Sequence, residues 1–111
     1  MEASRRIEQE VAGWDGVTVE PHRFGGVGFR LGRRELGHLH GDSLADLPFP
    51  RRIGDMLVET GRVERHHVLP DSGWVTRRIR SDEDVDETIE LFRLAYERAR
   101  VAAVVRAARE R

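Results

Sequence analysis

At 111 residues the chain has room for one domain with a modest core. With 39% of its residues hydrophobic and 35% charged, it reads as a folded chain rather than a disordered one, and a net charge of −1 excludes a global pull toward nucleic acid or membrane. Cysteine is absent, which excludes disulfides, thiolate catalysis and Cys-bound metal; all 19 basic residues are arginine, which excludes lysine Schiff-base chemistry.

No apolar run approaches the ~20 residues of a bilayer span, and no apolar segment follows the charges at the N-terminus. A cytoplasmic protein with no membrane partner is the expectation. Ile7, Val11 and Trp14 fall at i, i+4 and i+7, so residues 3–13 read as an amphipathic helix ended by Gly13 and Asp15-Gly16. Val17–Glu20 alternates and reads as a strand stopped by Pro21. Phe24–Leu31 reads as a second strand, in which Gly25, Gly26 and Gly28 suggest a bulge or a close backbone approach. A third strand is expected over 34–40, followed by a loop over 41–49. Pro50 suits the first position of a helix over 50–60, which buries Ile53, Met56 and Leu57 and ends at Gly61.

Residues 62–69 and 74–80 are two β-rich runs, and Pro70-Asp71-Ser72-Gly73 between them predicts a hairpin turn. Ser81, with Asp84 three residues on, predicts the cap of a long helix. Its stripe is Val85, Ile89, Phe92, Tyr96 and Ala99. Residues 100–111 are expected to extend that helix, to fray, or to pack on a second copy as a homodimer surface. Residues 1–111 thus read as one α+β domain of order α-β-β-β-α-β-β-α. It is a two-layer sandwich, an antiparallel sheet of about five strands with helices on one face and the other face partly open.

The chemistry concentrates in Glu35–Arg52. Residues two apart on a strand point the same way, so His38 and His40 share a face, with Leu36 beside them and Asp42 in line if the strand runs that far. His38, His40 and Asp42 are the candidate ligands of a divalent metal, to which Glu35, His66 or His67 could add. Asp42 with Asp46, or Glu35 with Asp42, could form an acid–base pair, although solvated loop acids are far commoner. In the hairpin His66 and His67 face opposite ways, and parity with Val63 and Leu69 puts His67 nearer the core. Ser43 and Ser72 lie in turn-rich segments with no nucleophile elbow, so no catalytic residue is assigned. Arg51 and Arg52 open a helix and either hold an anion or, for Arg51, pair with Asp55. Residues 62–80 carry a net +3 and residues 81–97 a net −6. Pairing of the hairpin arginines with acids of the helix is favoured over DNA binding.

ELGHLHG (35–41), LPFPRR (47–52), RHHVLPDSGWV (65–75) and LFRLAYERA (91–99) resemble a small domain family labelled luciferase domain, or luciferase family protein, over residues 15–99. Flavin-dependent luciferases are large α/β barrels more than twice this length, so the resemblance implies no flavin site. The element order also resembles the YjbR-type, frataxin-like fold, which implies a nucleic-acid-binding or protein-interaction module. The luciferase-domain pattern points to Glu35, His38, His40, Arg51, His66 and Trp74 as ligand-binding candidates, with no role for any of them.

The leading expectation is a non-catalytic binding or interaction module that uses the sheet face around His38, His40, His66 and Trp74. Its partner would be a small anionic ligand or a protein. The rival is a metal-dependent or acid–base enzyme built on the same histidines, and the third reading is DNA binding through hairpin 62–80.

Overall fold

Alternating apolar and polar residues lay down one antiparallel sheet in the computed structural model, which describes residues 2–110. Helix α1 (Ala3–Ala12) is followed by β1 (Val17–His22), a single 3₁₀ turn (Arg23–Gly25), β2 (Gly26–Leu31), β3 (Arg34–His40) and β4 (Leu44–Pro48). Helix α2 (Arg51–Glu59), β5 (Glu64–Arg65), β6 (Trp74–Arg78) and α3 (Asp82–Arg109) complete the chain. The strand order is β1-β2-β3-β4-β6-β5. The architecture is the expected α+β sandwich, with six strands rather than five.

The added strand is β4, which corrects the loop expected over 41–49. Ala45 and Leu47 are fully buried while Asp46 turns to the opposite side, so LADLP is an alternating strand paired with β3 and β6. The expected hairpin runs, 62–69 and 74–80, pair over a shorter span, with Glu64 opposite Thr76 and Arg65 opposite Val75. His66 N–H still donates to the Trp74 carbonyl at 3.3 Å, after which residues 67–69 leave the strand and the N–H groups of Val68 and Leu69 turn back to the His66 ring. Strand β1 also runs past Pro21 to His22. As an edge strand it tolerates a residue without an N–H.

Helices α1 and α3 cover one face of the sheet. Ile7 and Val11 of α1 and Val85, Phe92, Tyr96 and Ala99 of α3 meet Phe29, Leu36, Leu39, Ala45, Leu47 and Val75. Phe29 and Phe92 pack edge to face at 5.2 Å. Tyr96 reaches across the layer to donate to the Asp15 carbonyl at 2.6 Å. The Ser81 hydroxyl accepts from Asp84 N–H as the capping pattern predicts. The shorter Asp84 carboxylate reaches back to Arg80 N–H. Helix α1 lacks a cap of its own, and the Asp42 carboxylate supplies one from the β3–β4 turn by accepting Ser4 N–H at 2.8 Å.

One irregularity sets which side chains reach the open face. Phe29 pairs with Gly37 and Arg30 with Glu35, so Leu36 is an extra residue in β3. This bulge shifts the alternation by one. Leu36 and Leu39 both go to the core, while Glu35, His38 and His40 collect on the other side. The expectation that Leu36 shares the histidine face is therefore corrected. Gly37 makes the bulge feasible: its φ is +147°, and a Cβ there would stand 2.8 Å from both the Asp46 carbonyl oxygen and the Phe92 ring. The close approach expected near Gly26 occurs, since its Cβ would lie 2.5 Å from the Leu39 carbonyl oxygen.

Candidate functional site: a histidine face built on Asp46

On the sheet face away from α1 and α3, all five histidines of the chain form one contiguous group. His22 comes from β1, His38 and His40 from β3, and His66 and His67 from the segment after β5. His38 and His66 both border the Trp74 ring, at centroid distances of 5.6 and 6.0 Å.

The centre is Asp46, 2% exposed. Its Oδ1 accepts the Thr76 hydroxyl at 2.6 Å, directly across the β4–β6 pair. Its Oδ2 faces three imidazole Nε2 atoms: His40 at 3.0 Å, His66 at 3.4 Å and His38 at 3.6 Å. On the far side of its ring, His38 Nδ1 donates to Glu35 Oε2 at 2.8 Å. Burial disfavours charge on His38, but its bonds to Asp46 and Glu35 outweigh burial and raise its pKa to about 9. Burial likewise works against the Asp46 carboxylate. The hydrogen bonds from His38 and Thr76 and the nearby His66 prevail and hold its pKa at about 2. The bond from His38 lowers the Glu35 pKa against the opposing effect of burial. Burial, reinforced by the charge on His38, lowers that of His22.

His22 lies face to face with His38, 3.9 Å between centroids and 12° between planes. His22 Nδ1 is buried without a hydrogen-bond partner among the described residues.

Two sets of donor atoms are close enough to share an ion: His22, Glu35 and His38, and His38, His40 and Asp46. Ring orientation separates them. Imidazole lone pairs lie in the ring plane, so the parallel rings of His22 and His38 cannot both aim at one ion. The planes of His38 and His40 cross at 88° and can converge. A four-coordinate ion with bonds of ~2.0–2.1 Å needs neighbouring ligand atoms about 3.3 Å apart. The contacts from Asp46 Oδ2 to His40 and His38, 3.0 and 3.6 Å, straddle that spacing.

Five of the six sequence candidates, Glu35, His38, His40, His66 and Trp74, meet here. Arg51 does not. Its side chain is exposed with Asp71 at 3.9 Å, and the Asp55 expected to pair with it binds Arg65 instead, at 2.7 Å. Asp42 is corrected as a metal candidate, because the β3–β4 turn carries it away to cap α1. The side chain of His66, not that of exposed His67, is the half-buried member of its pair. Of the hairpin arginines, Arg62 and Arg77 bind Glu87 and Asp84 of α3, Arg78 binds Glu64 and Arg65 binds Asp55. Four of the five hairpin arginines are thus ion-paired, two of them with α3 as expected; Arg80 takes part in none of these pairs. Among the described residues no helix is long and apolar enough to cross a membrane.

Asp46 was weighed only as a loop acid beside Asp42, and Thr76 and His22 are the residues that sequence reasoning missed. The alternation of Ala45 and Leu47 around Asp46 was the available signal for its strand. His22 sits one residue beyond the proline taken to end its strand.

A family model described as Luciferase domain matches residues 33–95, a segment that holds every residue of this site except His22. No curated protein and no solved structure matches the chain.

Proposed function

Because the chain belongs to the Luciferase domain family, we propose that the matched segment forms a small non-catalytic binding module whose primary ligand is a divalent transition-metal ion. His38 Nε2, His40 Nε2 and Asp46 Oδ2 hold the ion. The observation that carries this reading is the convergence of these atoms while their far sides are already engaged: His38 Nδ1 by Glu35 and Asp46 Oδ1 by Thr76. A carboxylate behind a ligating imidazole is the usual outer partner in metal sites, where it fixes the tautomer and aims the lone pair. Charge points the same way. Two carboxylates and one imidazolium leave the site net negative, which favours a cation over the small anion expected from sequence. Two imidazoles and a carboxylate suit a borderline ion such as zinc, iron or cobalt and leave coordination positions open.

Cobalt(II) titration provides the test, because a tetrahedral or five-coordinate site gives visible bands. The parent protein is expected to bind one equivalent. His40→Ala and Asp46→Asn are expected to lose roughly a hundredfold in affinity or more, beyond the range seen for loss of outer partners. Failure of the parent to bind cobalt or zinc, or unchanged affinity in both variants, would remove the proposal.

A further inference from the structure

His66 enters the site from the loop after β5, and its ring is held differently from those of His38 and His40. Its Nδ1 accepts two backbone N–H groups, those of Val68 and Leu69, each at 3.2 Å. A backbone amide always carries its hydrogen, so Nδ1 presents a lone pair and the proton of the neutral ring resides on Nε2. An N–H cannot ligate a metal. Nε2 lies 3.4 Å from Asp46 Oδ2 and makes no hydrogen bond among the described residues. His66 is therefore a fixed donor with an unused proton, beside the carboxylate that would hold the ion.

Resting on the metal reading, we propose that His66 is the group that recognises a second ligand, a small monocarboxylate bound to the open side of the ion. One carboxylate oxygen occupies an open coordination position, and the other accepts the His66 Nε2–H. Of the two carboxylates only Asp46 touches the ion, which keeps one positive charge toward its open side; Glu35 lies behind the His38 ring. The surroundings suit an apolar body on that anion. The Trp74 ring borders both His66 and His38, and Val68 and Leu69, two and three residues beyond His66 and bonded to its ring through their backbone N–H groups, are 66% and 45% exposed. The indole supplies apolar surface to an otherwise polar site.

Benzoate and acetate titrated into the cobalt(II)-loaded protein serve as probes, with the visible bands as readout. Benzoate is expected to bind more tightly than acetate. His66→Ala is expected to keep cobalt affinity within about threefold of the parent while weakening benzoate about tenfold or more, the loss typical of a hydrogen bond to a charged acceptor. His66→Gln, whose amide nitrogen donates from nearly the same position as Nε2, is expected to recover most of that loss. If His66→Ala loses cobalt as severely as His40→Ala, His66 is a ligand and the proposal fails. Equal benzoate affinity in parent and His66→Ala overturns it as well. Nitrogen-15 NMR of the metal-free protein reports the tautomer independently of both titrations, and an Nδ1–H ring at His66 would refute this proposal while leaving the metal site standing. Absence of cobalt bands in the parent removes both.

Discussion

Asp46 decides what the site can do. A buried carboxylate is tolerated only when its oxygens are satisfied, and here the Thr76 hydroxyl and the His40 imidazole bond to it, with the His38 and His66 rings close by. Its partnership with His38 makes the metal-free protein pH-dependent in two directions. The His38 pKa is raised from 6.5 to about 9, so its contribution to stability is fully present below pH 6.5 and is lost as pH rises through 9. The Asp46 pKa is lowered from 3.8 to about 2, so its contribution is present above pH 3.8 and is lost as pH falls through 2. Denaturant midpoints measured with a chelator present should be highest between these limits; a midpoint that stays flat from pH 6 to 10 would contradict the His38 assignment. Glu35→Ala tests the outer partner. It should weaken metal binding by about 10–100-fold with the far-ultraviolet spectrum unchanged, and equal binding would mean that His38 needs no orienting carboxylate. The histidines were legible from sequence because His-x-His on a strand has one geometric meaning. Asp46 was not, because three turn-forming residues at 41–43 disguised the alternation that follows them.

At the level of elements, the bulge in β3 separates a strand that buries its histidines from one that displays them. Strict alternation groups Leu36 with His38 and His40, and only the extra residue at 36 sends the leucine to the core and the imidazoles to the opposite face of the sheet. No residue pattern in RELGHLH signals that shift except Gly37, which the sequence reading passed over. Gly37→Ala places a Cβ against a carbonyl oxygen and the Phe92 ring with a backbone angle that alanine resists. The expected cost is about 3 kcal/mol, read from a urea midpoint, together with loss of metal binding as the register relaxes. A variant as stable as the parent would show that the strand accommodates the bulge without glycine. The helices were easier to read. Ser81 caps α3 as the sequence predicts, and the spacing of apolar residues in α1 and α3 marks the faces that are buried. The hairpin was legible in its turn but not in its strands, since the His66 ring draws the N–H groups of Val68 and Leu69 away from β6.

Across the whole molecule, α3 is the longest dimension: 28 residues at ~1.5 Å each make about 42 Å, against a greatest extent of 47 Å. Its last buried residue is Ala99, and the described part of the expected tail continues as exposed helix through Arg109, with Arg111 outside the described residues. Deletion of residues 101–111 should move the melting temperature by no more than about 2 °C, because surface positions contribute little to stability. A drop of 10 °C would show that the extension is packed against something in solution. The two layers also divide the tryptophans. Trp14 stacks with Tyr96 and Arg93 among the helices, whereas Trp74 stands against His38 and His66 on the opposite side. Replacing Trp14 with phenylalanine would leave a single indole whose ultraviolet emission is quenched by any paramagnetic occupant of the neighbouring imidazoles, so the protein carries an optical reporter of its own occupancy.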